Sequence, residues 1–327
     1  MYAGGANLSQ FRRDIVTGDW VIIAQERSGR PYHYGDKADK NKCPFCPGNE
    51  YFTPNEIMRI SNESEWELRV VPNKFPVVCI EDGTIDDHTL FYSMCQATGT
   101  HEIVIETPSH HQALHHLPKD KIFNVFSVFK QRFVELSKRE DIKYVQIFKN
   151  NGKNGGASIP HAHSQIVALP FIPPRIEREM EGARQYFERE NRCIFCAIIE
   201  KELECQERLL CKNDAFVAVS YFAPRFPYET WIIPLKHQQV FSLADDDILY
   251  ALADAFKNVM DMMLKTLGEF PYNIVLHTAP YGFSDKYYHW HIELIPRVAY
   301  HAGFELATGS CVNDISPEEV AQKLKKK

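Results

Sequence analysis

One pattern of cysteines and histidines occurs twice in this chain, and it constrains the fold more than any other feature. Each copy has a Cys-x-Phe-Cys pair, a single histidine and a His-x-His pair; the copies are Cys43, Cys46, His110, His161 and His163, and Cys193, Cys196, His237, His289 and His291. Tyr144 precedes His161 by 17 positions, and Tyr272 precedes His289 by the same 17. Repetition in a fixed register indicates a duplicated structural unit. We therefore predict two related domains, residues 1–172 and 173–327.

The predicted elements also repeat. With 327 residues the chain can form two domains of about 150 residues, each with its own core. In the first half a strand over 101–106 precedes a long helix over 119–139, and in the second half a strand over 229–233 precedes one over 245–267. Both predicted helices have apolar residues at three-and-four spacing. The predicted fold class is α+β, a tandem duplication of a mainly antiparallel sheet with a long helix packed on it.

Several shorter elements follow from local signals. Residues 15–25 are predicted to form a hairpin that turns at Gly18 and Asp19. The proline-rich stretch 170–175, followed by a connecting helix over about 177–192, marks the boundary between the halves. Ser316, followed by a proline, is predicted to cap a terminal helix.

Composition excludes some classes of function. The net charge of −6 argues against a general nucleic-acid binder, which needs a basic surface. No apolar run approaches the ~18 residues of a membrane helix, and the N-terminal residues lack a secretion signal, so we expect a cytoplasmic protein with no membrane partner. Nine cysteines, four of them in Cys-x-x-Cys pairs with histidines downstream, favour reduced metal ligands over disulfides.

Both copies of the pattern suit zinc, which prefers tetrahedral sulfur and nitrogen ligands. The predicted ligand sets are Cys43, Cys46, His110 and His161, and Cys193, Cys196, His237 and His289. In the first set, alignment on the nearby proline would instead select His111, whereas the spacing to the later pair selects His110. Neither set leaves an open position, so both zinc ions are expected to be structural. The alternative is that one copy has become ordinary core.

The second histidine of the first pair is the candidate nucleophile. On an extended strand His161 and His163 point to the same face, so binding of a metal by His161 fixes His163 beside it. The glycine-rich segment 150–158 comes shortly before the pair, and its backbone amides could hold a phosphate. An imidazole held there can attack phosphorus.

Five motifs of the chain resemble galactose-1-phosphate uridylyltransferases, a two-domain branch of the histidine-triad superfamily. They are Arg27-Ser-Gly-Arg30-Pro31, Cys43-Pro-Phe-Cys46-Pro-Gly-Asn, Thr53-Pro-Asn-Glu56, Arg69-Val-Val-Pro-Asn73-Lys-Phe75-Pro and Ser158-Ile-Pro-His161-Ala-His163-Ser-Gln165. The similarity extends over nearly the whole chain, to Glu305, and implies histidine-triad-like domains.

The resemblance implies a reaction and roles for particular residues. His163 would attack the α-phosphorus of UDP-glucose, and galactose 1-phosphate would then accept the uridylyl group, while Gln165 hydrogen-bonds the transferring phosphoryl group. The other residues implied to contact substrate are Arg27, Arg30, Asn73, Phe75, Asn150, Ser158 and Glu305. In the family the residue matching Glu305 reaches the partner subunit's active site, which implies a homodimer.

The second half lacks this chemistry at the matching positions. Glu293 stands where the first half has Gln165, and its charge would repel a phosphoryl group, so His291 is predicted to be a packed histidine. Ala162 replaces the proline that the family usually has between the two histidines. One alternative is therefore an ADP-glucose or other nucleotide-sugar phosphorylase or adenylyltransferase that uses the same His163. Another is a zinc-stabilised binding module that performs no reaction.

Overall fold

A computed structural model describes residues 9–15, 19–24, 43–63, 65–79, 87–88 and 93–326. Two residues predicted to contact substrate, Arg27 and Arg30, lie outside the described residues.

The described strands of the first half are β1 (Gln10–Arg13), β2 (Trp20–Ile23), β3 (Met58–Ser61), β4 (Trp66–Pro72), β5 (Asp87–His88), β6 (Ser93–Gln96), β7 (Thr100–Ile105), β8 (Tyr144–Asn151) and β9 (His163–Leu169). Those of the second half are β10 (Leu209–Lys212), β11 (Phe216–Ser220), β12 (Thr230–Pro234), β13 (Tyr272–His277) and β14 (His291–Pro296). The helices are α1 (Lys119–Ser137), α2 (Pro174–Glu190), α3 (Ile194–Cys205), α4 (Asp246–Leu267), α5 (Gly303–Thr308) and α6 (Pro317–Lys325).

A ten-stranded antiparallel sheet forms the centre of the molecule. Its order is β10-β11-β12-β14-β13-β8-β9-β7-β4-β3. From its middle outwards, the order β8, β9, β7, β4, β3 in one half is matched by β13, β14, β12, β11, β10 in the other. This correspondence, with one long helix in each half, confirms the predicted α+β duplication. A separate four-stranded sheet, β2-β1-β6-β5, belongs to the first half.

The two halves are joined by direct strand pairing. Strand β8 pairs with β13, and the paired residues run from Tyr272 with Asn151 to Val275 with Phe148. Backbone hydrogen bonds therefore make one continuous sheet from two homologous ones. The division at residues 172 and 173 falls just before α2 and stays a prediction.

The two long helices pack on the sheet and on each other, as their apolar stripes predicted. Phe126 of α1 and Phe256 of α4 are fully buried, and their ring centroids lie 5.9 Å apart with the rings nearly perpendicular. The main hydrophobic cluster includes residues of both helices and both halves of the sheet. None of the helices in the described residues combines the length and apolar character needed to cross a membrane.

The predicted hairpin is present but begins earlier than expected. Its first strand is β1, which pairs with β2, because Phe11 is buried and packs against Phe171 at 5.0 Å. Ile15, at the start of the predicted hairpin, is 57% exposed. The connecting helix α2 begins at Pro174, earlier than residue 177. The terminal helix is capped as predicted, since the hydroxyl of Ser316 accepts a hydrogen bond from the Glu319 amide.

Candidate active site

The structure brings the four ligands predicted for the first zinc ion together. The Sγ atom of Cys46 lies 3.2 Å from Nδ1 of His110 and 3.6 Å from Nδ1 of His161, and Sγ of Cys43 lies 3.7 Å from Nδ1 of His161. A tetrahedral zinc ion with ordinary bond lengths would separate sulfur and nitrogen ligands by about 3.5 Å. These four side chains therefore fit zinc, and it is His110 rather than His111 that contributes to the cluster.

A neighbouring hydrogen bond fixes the orientation of the His161 ring. Its Nε2 lies 2.7 Å from the carbonyl oxygen of Thr107. An Nε2–H that donates there leaves the Nδ1 lone pair directed at the cysteines. Burial lowers the pKa of His161 to about 4, so this ring is neutral near pH 7, the state that binds a metal.

The second set forms a matching cluster of Cys193, Cys196, His237 and His289. The Sγ atom of Cys196 lies 3.3 Å from Nδ1 of His237 and 3.7 Å from Nδ1 of His289. The local backbone differs from the first site, because Cys193 is the N-cap residue of α3 and Cys196 lies in its first turn.

His163 is the first residue of β9 and is almost completely buried. Its Nδ1 lies 2.8 Å from the carbonyl oxygen of His161, so a neutral ring that donates this bond has its lone pair on Nε2. The ring of Phe45, between the two zinc-site cysteines, packs 5.3 Å from it. The extended pairing with β7 continues one residue before the strand, since the Glu106 amide donates to the Ala162 carbonyl at 3.2 Å. The candidate nucleophile is thus held beside the cluster of cysteines and histidines.

A buried ion pair supports the backbone at His163. The Nζ atom of Lys149 lies 2.8 Å from a carboxylate oxygen of Glu106 and 3.1 Å from the carbonyl oxygen of His163. The other carboxylate oxygen of Glu106 accepts a hydrogen bond from Ser164. Because these groups hydrogen-bond one another in a site of low dielectric, they hold the start of β9 in one position.

The Gln165 side chain lies on the same face of β9 as His163 and contacts His101. Its Oε1 is 3.0 Å from Nε2 of His101. Nδ2 of Asn73 lies 3.1 Å from the same Nε2, while Oδ1 of Asn73 accepts from the Phe75 amide at 2.9 Å. The structure therefore connects Asn73, Phe75 and Gln165, three predicted site residues, through a histidine.

The glycine-rich segment is held by the second half of the molecule. Nδ2 of Asn273 lies 2.8 Å from Oδ1 of Asn150 and 2.7 Å from the carbonyl oxygen of Gly155. A Cβ atom at Gly155 would lie 2.2 Å from the Asn151 carbonyl oxygen, so this close approach requires glycine. The segment ends at the buried Ser158.

Glu305 is partly buried near the C-terminal end of the chain. It lies on α5, and Oε2 accepts a hydrogen bond from the Ala302 amide at 2.9 Å. In the single chain this carboxylate therefore caps its own helix.

The corresponding face of the second half contains charged groups that neutralise one another. Glu293 is buried, and its carboxylate lies 3.1 Å from Nη2 of Arg175 and 3.1 Å from Nε2 of His277, and it also pairs with Arg225. Although burial opposes ionisation, His277 and the two arginines hold the pKa of Glu293 well below its ordinary range. An anionic carboxylate at this position would repel a phosphoryl group.

His291 is packed between aromatic rings, as the sequence predicted. The Trp231 ring stacks on it at 4.3 Å and the His277 ring at 4.9 Å. Burial lowers the pKa of His291 to about 4.

Sequence reasoning did not identify His101, Lys149 or Asn273. The signals available for the first two were a histidine in the strand predicted over 101–106 and a lysine that directly follows Phe148. Asn273 gives no such signal, because its role depends on the pairing of β13 with β8.

Comparisons with known proteins agree with this geometry. A family described as galactose-1-phosphate uridyl transferase, N-terminal domain, matches residues 5–173, and one described as a domain of unknown function, DUF4921, matches residues 108–327. The ADP-glucose phosphorylase of Arabidopsis thaliana is 32% identical over 325 residues, which cover 96% of this chain and 91% of that protein.

Two further relatives carry the uridylyltransferase name. The galactose-1-phosphate uridylyltransferase of Thermotoga maritima is 29% identical over 328 residues, covering 97% of this chain and 98% of that protein. A solved structure of uridylyltransferase superposes with a TM-score of 0.82 at 29% identity, covering 97% of each chain. The chain therefore belongs to the galactose-1-phosphate uridylyltransferase family.

Proposed function

We propose that this protein is a nucleotidyltransferase that exchanges UMP between UDP-glucose and galactose 1-phosphate through a covalent uridylyl-His163 intermediate. The observation that carries the proposal is the position of His163. Its Nδ1 is 2.8 Å from a backbone carbonyl, so the lone pair lies on Nε2. The ring stands beside Gln165 on a strand anchored by a metal cluster. A nucleophile held in this way has lost most of its rotational freedom before the substrate arrives.

The reaction consists of two displacements at phosphorus. The Nε2 lone pair of His163 forms a bond to the α-phosphorus of UDP-glucose, and the bond from that phosphorus to the bridging oxygen breaks, releasing glucose 1-phosphate. A phosphate oxygen of galactose 1-phosphate then attacks the same phosphorus, the bond to His163 breaks, and UDP-galactose leaves. The Gln165 amide donates to a phosphoryl oxygen, where negative charge is concentrated in each transition state.

We further propose that both Cys₂His₂ clusters hold zinc. The donor sets and the separations of 3.2 to 3.7 Å support this assignment. A bound zinc ion with four protein ligands supplies structural stabilisation. Thiolate ligands also need a reducing compartment, which supports a cytoplasmic location.

A second candidate substrate pair is ADP-glucose and inorganic phosphate. The similarity to the Arabidopsis thaliana ADP-glucose phosphorylase, 32% identical over 96% of this chain, favours it. So does Ala162, which stands where the family usually has proline. The chemistry of His163 is the same in both candidates, and only the base and acceptor pockets differ.

Intact-mass spectrometry after mixing with one nucleotide sugar distinguishes these candidates. We expect a uridylyl adduct with UDP-glucose on the wild type and none on His163→Ala. His291→Ala is the matched control and is expected to keep the adduct. An adenylyl adduct with ADP-glucose alone would establish the second candidate. If neither sugar gives an adduct and neither is turned over, the covalent mechanism is wrong.

We also propose that the protein is a homodimer. Apolar side chains around Glu305 are strongly exposed in the single chain: Tyr300 at 65%, Phe304 at 58%, Leu306 at 78% and Val312 at 63%. Grouped exposed apolar residues mark interaction surfaces, and a partner covering them would place Glu305 in the interface. Light scattering after gel filtration is expected to give twice the chain mass, and Leu306→Asp to give the monomer mass. A wild-type monomer would contradict this proposal.

A further inference from the structure

We propose that His101 is a positioning residue that orients the Gln165 carboxamide so that its NH₂ group faces the transferring phosphoryl group. The inference rests on the proposed function and assigns to His101 a role in the same site. His101 and Gln165 are only 4% and 5% exposed, so solvent cannot replace the contact between them.

The protonation of His101 follows from one backbone contact. The Val77 amide lies 3.1 Å from Nδ1 of His101. A backbone N–H can only donate, so Nδ1 must be the acceptor. A neutral imidazole with an accepting Nδ1 carries its hydrogen on Nε2. The tautomer is therefore set by the main chain.

The orientation of Gln165 follows from that tautomer. The atom of Gln165 that lies 3.0 Å from Nε2 of His101 must accept a hydrogen bond, so it is the carbonyl oxygen Oε1. The NH₂ group of Gln165 then points away from His101. Without this contact, a rotation of 180° about the last bond of glutamine would present the carbonyl oxygen to the phosphoryl group, where it would repel instead of stabilise.

Asn73 holds the imidazole from the other side and is itself fixed. Its Oδ1 accepts from the Phe75 amide at 2.9 Å, so only its NH₂ group faces His101. That nitrogen lies 3.4 Å from Nδ1, the atom that can accept, and 3.1 Å from Nε2, a contact that is not a hydrogen bond because both groups carry hydrogen. The main-chain amide of Asn73 also donates to the His101 carbonyl oxygen at 2.8 Å. Main-chain groups thus determine the chain of contacts that ends at the Gln165 amide.

The second half provides an independent comparison. Ile103 pairs with Gln165 across β7 and β9, and Trp231 pairs with Glu293 across β12 and β14. The residue two positions before Trp231 is Glu229, so it corresponds to His101. Where the glutamine has become glutamate, the orienting histidine has also become glutamate. The two positions differ together, as expected if one acts through the other.

Three substitutions at position 101 test the proposal. The side chain introduced by His101→Gln can present a carbonyl oxygen to the Val77 amide and an N–H to Gln165. This variant is therefore expected to form the adduct within about threefold of the wild-type rate. His101→Ala removes the orienting donor and is expected to slow adduct formation about tenfold or more, with a smaller change in KM. The carboxylate introduced by His101→Glu would accept a hydrogen bond from the Gln165 amide and so reverse the orientation of that amide. This variant is expected to form the adduct most slowly. Thermal unfolding of each variant identifies any that fails to fold.

A double-mutant cycle separates orientation from general structure. In a Gln165→Ala background, His101→Ala is expected to cause no further loss of rate, because the group it orients is gone. Two results would overturn the role of His101 while leaving the covalent mechanism intact. One is an equal loss of rate on His101→Ala in both backgrounds, and the other is a His101→Gln variant as slow as His101→Ala. Absence of an adduct on the wild type would instead refute the proposed function, and the inference about His101 with it.

Discussion

The two halves keep the same frame of two cysteines and two histidines but differ in the charges placed beside it. In each half, the phenylalanine of the Cys-x-Phe-Cys pair packs against the second histidine of the His-x-His pair, Phe45 with His163 at 5.3 Å and Phe195 with His291 at 5.1 Å. Beyond that contact the first half presents the Gln165 amide, which is neutral and can donate. The second half presents Glu293, which is neutralised by Arg175, Arg225 and the buried His277.

One strand position, occupied by Gln165 in the first half and by Glu293 in the second, distinguishes the face proposed to be reactive from its counterpart. A carboxylate at position 293 needs cations, and α2 supplies one of them through Arg175, 3.1 Å away. These cations and the His277 ring pair with Glu293 at the position that matches Gln165. The charge of the side chain at this strand position therefore decides whether the face could bind a phosphoryl group or is occupied by ion pairs.

The largest expected difference between the halves concerns the two second histidines. Substitution of His163 by alanine removes the nucleophile and is expected to lower kcat by at least about 10⁴-fold. His291→Ala is expected to keep kcat within about threefold, because that ring is packed and contacts no substrate. Steady-state assays and urea unfolding measure the two effects. A large loss of kcat in a well-folded His291→Ala protein would mean that the second face takes part in the reaction.

The metal sites should differ in how strongly they affect activity. Cys46→Ser and Cys196→Ser are each expected to lose one of two bound zinc ions and roughly 4 kcal/mol or more of stability. Only Cys46→Ser is expected to reduce the rate of adduct formation in protein that remains folded, because His161 and His163 are neighbours. Metal analysis by mass spectrometry and single-turnover assays measure these outcomes. Zinc content unchanged in either variant would contradict the assigned ligand set.

An exchange of residues between the two faces tests the role of charge directly. Gln165→Glu replaces a donor with an anion and is expected to slow adduct formation about 10²- to 10³-fold with little change in stability. Glu293→Gln leaves the buried His277 without its anion and is expected to cost about 3 kcal/mol of unfolding free energy, with kcat unchanged. Similar effects of the two substitutions on rate would show that the faces are not chemically distinct.

Much of this arrangement could be predicted from the sequence, because it depends on local spacing. The two copies of the pattern recur in matching register: a Cys-x-x-Cys pair, a single histidine and a His-x-His pair. Their spacing in the sequence was therefore enough to predict which side chains form each cluster. The apolar stripes of α1 and α4 and the Ser316 cap are local in the same sense.

The remainder depends on pairings between distant segments. The joining of β8 to β13 is an edge-to-edge contact with no marker in either strand. The contact of His101 with Gln165 depends on the register of β7 and β9, and the tautomer of His101 depends on the Val77 amide from a third segment. The entry of Arg175 into the second face depends on where α2 begins, which local signals placed three residues too late.

A loss of stability as pH rises above neutral is expected from His277, which contacts Glu293 in the second half. Although burial opposes protonation, Glu293 and Glu179 raise the pKa of His277 to about 9. A raised pKa contributes stability that is fully present below the ordinary value near 6.5 and is lost as pH rises through about 9. The groups that face His277 are Glu179, Glu293 and the His291 ring, with Arg175, Arg225 and Tyr288 around them.

The expected loss is on the order of 2–3 kcal/mol between pH 6.5 and 9.5. Urea unfolding across this range measures it, with His277→Gln as the control that cannot take up the proton. The two proteins should differ most at low pH and converge at high pH. Parallel stability curves would show that His277 does not carry this charge.

The smallest expected effect tests whether the second half still contributes to the first site. Asn273 donates to Asn150 and to the Gly155 carbonyl oxygen at 2.8 and 2.7 Å, so Asn273→Ala should loosen the glycine-rich segment. A hydrogen bond of this kind contributes about 1 kcal/mol, which corresponds to a severalfold rise in KM for the nucleotide sugar with kcat within about twofold. Asn258→Ala, on the exposed surface of α4, makes the same chemical change where the side chain donates to Asp254 at 3.3 Å, and should leave KM unchanged. If Asn273→Ala lowers the free energy of unfolding without changing KM, the contacts of Asn273 stabilise the fold and do not contribute to substrate binding in the first half.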